Sequence, residues 1–217
     1  MGKLLKRKYL VLTLILVGII TFFVCSLNYN YGGKLSETQI AQLREQYPIY
    51  GIEVPEMVSM SEPSLERTIE IVDSFVYGEV MGEMTMYSQY ISTGNAALDK
   101  KREANGINNV ETFFEYKIRV IEDTEGEYQP GEEITIVSNA IFIDYDPVLH
   151  DGMKMVIPVA RNRENPSCSG YSVTGMYYVT DDGYALSAFP EEQKTMQARG
   201  TYSGVKVEYL LKQLKKK

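Results

Sequence analysis

The sequence predicts a mainly β protein: an N-terminal transmembrane helix, then a small antiparallel β-barrel or curved sheet with short flanking helices and a C-terminal amphipathic helix. Three observations carry that reading. Residues 9–27 form an uncharged, apolar run directly after Lys3, Lys6, Arg7 and Lys8. From residue 74 the apolar pattern takes a period of two, punctuated by Pro-Gly and Asp-Gly turns. Between residues 203 and 217 the period becomes helical, with Val207, Leu210, Leu211 and Leu214 on one stripe.

The apolar run comes first in the chain. At about 1.5 Å per residue it would make a helix of roughly 28 Å, close to the thickness of a bilayer's hydrocarbon core. The basic residues 1–8 before it form a leader that stays cytoplasmic by the positive-inside rule, so the rest of the chain is expected on the far side. Taking those four cations from the 22 basic residues leaves 18 against 29 acidic ones, a net of -11 for residues 28–217. Two alternatives stay open, a cleaved signal peptide and a lipidated Cys25. Val24-Cys25-Ser26 is a poor cleavage site, and Phe22-Phe23-Val24 is a poor approach to a lipidated cysteine. An uncleaved anchor is therefore the expectation.

Residues 28–63 read as a juxtamembrane linker holding one short helix. Ser36 with Gln39 forms a capping box, Ile40 and Leu43 give a thin apolar stripe, and Pro48 ends it. Pro48, Pro55 and Pro63 around Gly51 predict an extended connection. Residues 64–217 are the expected extracytoplasmic domain, opening with a second short helix from Ser64 through Leu65, Ile69 and Val72. Strands are predicted at 74–81, 113–120, 133–137, 153–160, 175–180 and 184–188. The clearest is 113–120, where Phe114, Tyr116, Ile118 and Val120 alternate with Glu115, Lys117 and Arg119. Asp181-Asp182-Gly183 joins the last two strands as a hairpin, because Asp and Gly tolerate the positive φ of tight turns. The charged stretch Asp99-Lys100-Lys101-Arg102-Glu103 reads as part of a long exposed hairpin insertion.

Composition excludes several functions. An acidic balance disfavours nucleic acid as a partner, because phosphate binding draws on clustered Lys and Arg. Of the two cysteines, Cys25 lies in the apolar run and Cys168 in the domain, so no disulfide is expected within the domain. Its one glycosylation-like triplet, Asn165-Pro166-Ser167, is blocked by proline. These features suit a bacterial cell envelope, and no cofactor is expected. With His150 the only histidine, any imidazole-assisted nucleophile must use it. An anchored extracytoplasmic barrel with His150 and Cys168 resembles a sortase, but the resemblance stops at Asn165-Pro166-Ser167-Cys168-Ser169-Gly170, which is not the Thr-Leu-x-Thr-Cys of that family. No arginine follows before Arg199. No catalytic residue is assigned.

Two constellations remain. Asp144, Asp146, His150 and Asp151 place carboxylates and an imidazole at a spacing that could hold a cation. The plainer reading of that segment is an acidic turn between strands. Tyrosine is enriched, 17 copies against 7 Phe and no Trp. Exposed tyrosines offer flat amphipathic area with little entropy to lose, which suits a peptide or glycan partner. Tyr87, Tyr90, Tyr171, Tyr177 and Tyr178 are the candidates for such a face.

The succession of Tyr77-Gly78-Glu79-Val80, the strand 116–120, Pro130-Gly131-Glu132-Glu133-Ile134-Thr135-Ile136, Gly152-Met153-Lys154-Met155-Val156, Gly183-Tyr184-Ala185-Leu186 and a terminal amphipathic helix carries a further resemblance. Residues 64–215 resemble a loosely defined, functionally uncharacterised group of anchored small β-barrel ectodomains in low-GC Gram-positive bacteria. The resemblance implies a fold and a location but no site residues. The expected function is a non-enzymatic binding or sensing module of the envelope. An envelope enzyme acting on peptide or glycan, or a structural subunit of a membrane complex, are the alternatives.

Overall fold

The computed structural model describes residues 33–50, 65–107, 109–143, 145–161, 169–171, 175–189 and 202–216. The expected anchor at 9–27, and with it Cys25, lies outside these residues, as do Asp144 and Cys168. Among the described residues no helix is long and apolar enough to cross a membrane.

The domain is mainly β. Helix α1 (Glu37–Leu43) starts at the anticipated capping box, with the Ser36 hydroxyl accepting from the Gln39 N–H and the Gln39 side chain accepting from the Ser36 N–H. Helix α2 (Leu65–Ile71) leads into β1 (Ser74–Tyr90), followed by α3 (Ala96–Ala104) and β2 (Val110–Asp123). Then come β3 (Glu133–Asn139), a 3-10 turn at Ala140–Phe142, β4 (Lys154–Arg161), β5 (Ser169–Tyr171), β6 (Tyr177–Val179), β7 (Ala185–Ser187) and α4 (Val207–Leu214).

The sheet is mixed rather than wholly antiparallel. Strands β1, β2 and β3 form an antiparallel meander, and β4 returns to pair antiparallel with the other edge of β1, Ser74 opposite Val159. That order, 4-1-2-3, is a Greek key. The three-residue β5, which has no sequence periodicity to announce it, lies parallel to β3 and antiparallel to β4. It thereby closes a ring, β1-β2-β3-β5-β4-β1. The hairpin β6–β7 extends from the same edge of β4 that β5 uses further along.

Two cores result. Inside the ring lie Val76, Val80, Phe114, Tyr116, Ile118, Val120, Ile136, Met155, Ile157 and Val159, all at most 2% exposed. Outside it, α2 and α4 cover the sheet through Leu65, Leu210, Leu211 and Leu214, burying Phe75, Val156 and Tyr177. This is why neighbouring residues of β1, β4 and β6 are buried together: both faces are covered. Tyr177 belongs to the outer core and Tyr178 to the inner one, each 1% exposed. Neither can form an accessible binding face, which removes both from the tyrosine set.

The Arg44 guanidinium secures α1, donating to the Ser187 carbonyl at 2.7 Å and the Tyr47 carbonyl at 3.2 Å. Gly78 allows β1 and β2 to approach where Ile121 forms a bulge, the register stepping from Tyr77 opposite Glu122 to Gly78 opposite Val120.

Burial pushes the phenols of Tyr178, Tyr116, Tyr77 and Tyr47 above the ordinary tyrosine range, Tyr178 most of all. The folded state holds those protons to higher pH than the unfolded chain. Their contribution to stability is therefore complete below about pH 10 and lost as pH rises past it. Denaturant midpoints measured from pH 8 to pH 12 should fall above pH 10, with a shallower fall in Tyr178→Phe. An equal slope in the two proteins would contradict the assignment.

Candidate functional site

Beyond Met81, β1 has left β4, while β2 stays paired with β3 as far as Phe113 opposite Asn139. The register shifts between Met81–Lys117 and Thr85–Glu115, so three residues of β1 face one of β2. Gly82 supplies the bend with φ +74°, and its N–H donates to Asp151 Oδ1 at 2.6 Å. An extra residue on one strand bends and twists the ribbon. The two strands then stay paired to Tyr90 opposite Val110. Apart from half-buried Met84, β1 is exposed from Gly82 to its end. The exposed hairpin insertion anticipated around Asp99 to Glu103 is thus the end of an arm: β1 runs on beside β2, among the described residues the pair stands alone from Ser88 opposite Thr112 to Tyr90 opposite Val110, and α3 sits at its tip.

The tip is built, and its parts interlock. The Asn95 side chain caps α3 by accepting from the N–H groups of Ala97 and Leu98. The Asp99 carboxylate accepts from the Ser92 hydroxyl at 2.7 Å and the Thr93 N–H at 2.9 Å, and these bonds hold its pKa below the usual carboxylate range. The Tyr90 hydroxyl donates to Glu103 at 3.1 Å and accepts from Asn109 Nδ2 at 3.3 Å. On the ribbon, the Thr85 hydroxyl donates to Glu115, the Ser88 and Thr112 hydroxyls share a bond of 3.1 Å, and the rings of Tyr87 and Phe113 stack at 5.7 Å.

Yet the arm leaves apolar surface in water. Eleven large hydrophobic residues are exposed among the described residues, and six of them, Met86, Tyr87, Tyr90, Leu98, Ile107 and Val110, lie between residues 86 and 110. Single exposed apolar side chains are ordinary, but a concentration on one ordered protrusion is the mark of a contact surface. Met86, Tyr90 and Val110 share one face of the ribbon by the alternation of the strands, while Tyr87 and Phe113 share the other.

Of the tyrosines expected to bind, Tyr87 and Tyr90 stand on this arm, on opposite faces. The Tyr171 backbone, in β5, pairs with Val159 of β4, and its side chain lies outside the described residues. Sequence reasoning missed Met86, Leu98, Ile107 and Val110, although the uncharged run Met84-Thr85-Met86-Tyr87-Ser88-Gln89-Tyr90 was a signal available to it. Of the acidic constellation, Asp144 lies outside the described residues, and Asp146, His150 and Asp151 do not gather into a site. Asp146 is 1% exposed and accepts from Ser138, Asp151 serves the Gly82 bend, and the exposed His150 ring stands 3.8 Å from Glu83. No group of three or more His, Cys, Asp or Glu placed to hold a metal occurs among the described residues.

Fold and site together define a closed Greek-key β-barrel that presents an apolar ribbon on one side. No family model, no curated protein and no solved structure matches the chain.

Proposed function

We propose that this chain is a single-pass, membrane-anchored extracytoplasmic domain of a bacterial cell envelope, and that it is a non-enzymatic binding module which takes its partner on the β1–β2 arm. The observation that carries the reading is the gathering of six exposed apolar side chains on a hydrogen-bonded arm. An ordered ribbon binds without losing much conformational entropy, and its tyrosines suit a polypeptide or a glycan. The architecture adds support by analogy alone. Five-stranded Greek-key barrels of the OB type take ligands beside the connection between their first two strands, and the arm is that connection. The basic leader before the apolar run 9–27 supports the orientation, and the resemblance to anchored Gram-positive ectodomains supports the location.

The test uses the full anchored chain as bait in crosslinked envelopes. The native chain is expected to recover a specific component. The double variant Met86→Glu/Val110→Glu is expected to lose it, keeping its thermal midpoint because both side chains already face water. Recovery of the same component by both proteins would overturn the arm as the contact element. Protection of the domain from external protease in intact cells would overturn the orientation.

A further inference from the structure

Among the described residues the arm has an unpaired β1 edge as well as two faces. Hydrogen bonds in an antiparallel pair engage alternate residues of each strand. On β2, Val120 turns its N–H and carbonyl toward the β3 side, bonding Glu132 and Gly131, so the odd-numbered residues turn toward β1. The Ile91 N–H donates to the Asn109 carbonyl, which fixes the same parity at the far end. Tyr87 and Gln89 therefore bond to β2, while Met86, Ser88 and Tyr90 direct their backbone groups away from it. Strand β4 covers that edge only from Ser74 to Glu79, and the Met153 carbonyl and Asp151 carboxylate take the N–H groups of Val80 and Gly82. Among the described residues no strand pairs with the edge beyond.

Proteins guard such edges with lysine, proline or inward charges. This one has none of them: residues 84–90 hold no charge, no proline and no glycine. We propose that the chain forms a two-fold dimer in which the β1 edge of residues 84–90 pairs antiparallel with the same edge of a second copy, with Tyr87 on the axis. The alternation of bonding groups requires a two-fold at a residue rather than between residues, and centring it on Tyr87 brings all seven residues into register. Met86 then stands opposite Ser88 of the second copy, and Met84 opposite Tyr90. Tyr87 faces its own mate at a non-bonded position, where side chains approach most closely. The Tyr87–Phe113 stack continues across the axis as four rings. Glu83, the nearest acidic residue on β1, meets Ile91 of the second copy, so no like charges oppose each other within the pairing. An extended peptide from another protein could add to the same edge, but the uncharged, self-matching segment favours a second copy. This inference stands on backbone direction and is independent of the docking reading, which uses the side chains.

The test uses the full chain in nanodiscs, in a background with Cys25→Ser and Cys168→Ser. Under mild oxidation Tyr87→Cys is expected to give a disulfide-linked dimer in high yield, with Thr85→Cys and Gln89→Cys giving little because each faces the other rather than itself. Ser88→Pro removes an outward N–H together with the Ser88–Thr112 hydroxyl bond and is expected to abolish the Tyr87→Cys crosslink, while Ser88→Ala, which removes the hydroxyl bond alone, is expected to keep it. In a separate arm, Tyr87→Lys and Tyr87→Glu are each expected to weaken self-association by about tenfold or more through like charges on the axis, and mixing them is expected to restore it. A monomeric native chain, or a crosslink maximum away from residue 87, overturns the proposal. Capture of a different polypeptide at Tyr87→Cys in native envelopes would replace the second copy with that partner.

Discussion

Gly78→Ala is expected to lower stability by about 2 kcal/mol, in the range for overpacking a close contact, and to lower the thermal midpoint by about 4–8 °C. A Cβ on Gly78 would lie 2.4 Å from Ile118 Cγ2 and 2.9 Å from the Arg119 carbonyl oxygen. Neither neighbour can yield easily. Ile118 is wholly buried in the inner core, and the carbonyl belongs to the backbone of β2. Gly78 has no positive φ, so the cost is steric rather than conformational. Gly170 in β5 is the matched control. A Cβ there meets nothing closer than 3.9 Å, so Gly170→Ala should leave stability unchanged or slightly raised. Equal effects at the two sites, read from urea midpoints, would contradict the close approach of β1 and β2.

Ile157→Ala should cost more, about 3–4 kcal/mol from lost transfer free energy and the cavity left behind. Ile157 is fully buried on β4 opposite Val76, at the seam where β4 closes against β1. The same truncation at Ile141, which is 53% exposed, should change stability by less than about 0.5 kcal/mol. If the two truncations cost the same, the seam between β1 and β4 is not part of the packed core.

How much of this was legible in the sequence follows from what each element depends on. Local chemistry was readable. The Ser36–Gln39 box, the alternation at 113–120, the Asp181-Asp182-Gly183 turn and the stripe Val207, Leu210, Leu211, Leu214 all appear at or near their expected places, and all four stripe residues are buried. Long-range closure was not readable, because β5 is three residues whose pairing with β3 spans more than thirty positions and leaves no periodic trace. The charges of Asp99 to Glu103 suggested a long exposed hairpin insertion, yet they ride on a helix with little apolar surface, and Asn95 was its unread cap. Tyr177 and Tyr178 show the limit of period-two reasoning. Alternation says that two neighbours face opposite ways, but it cannot say that both faces are covered. Aromatic enrichment led to Tyr87 and Tyr90 on the arm and overlooked the Met and aliphatic side chains beside them.

The β1–β2 arm is proposed as the place where this domain meets its partner. Photo-crosslinking in intact cells tests it most directly, with a photoreactive residue placed in turn at Met86, Leu98 and Val110 on the arm and at Ile71 on α2, which is 52% exposed. The expected result is a discrete adduct with an envelope component from the arm positions and none from Ile71. Adducts from Ile71 alone, or equally from all four positions, would contradict it.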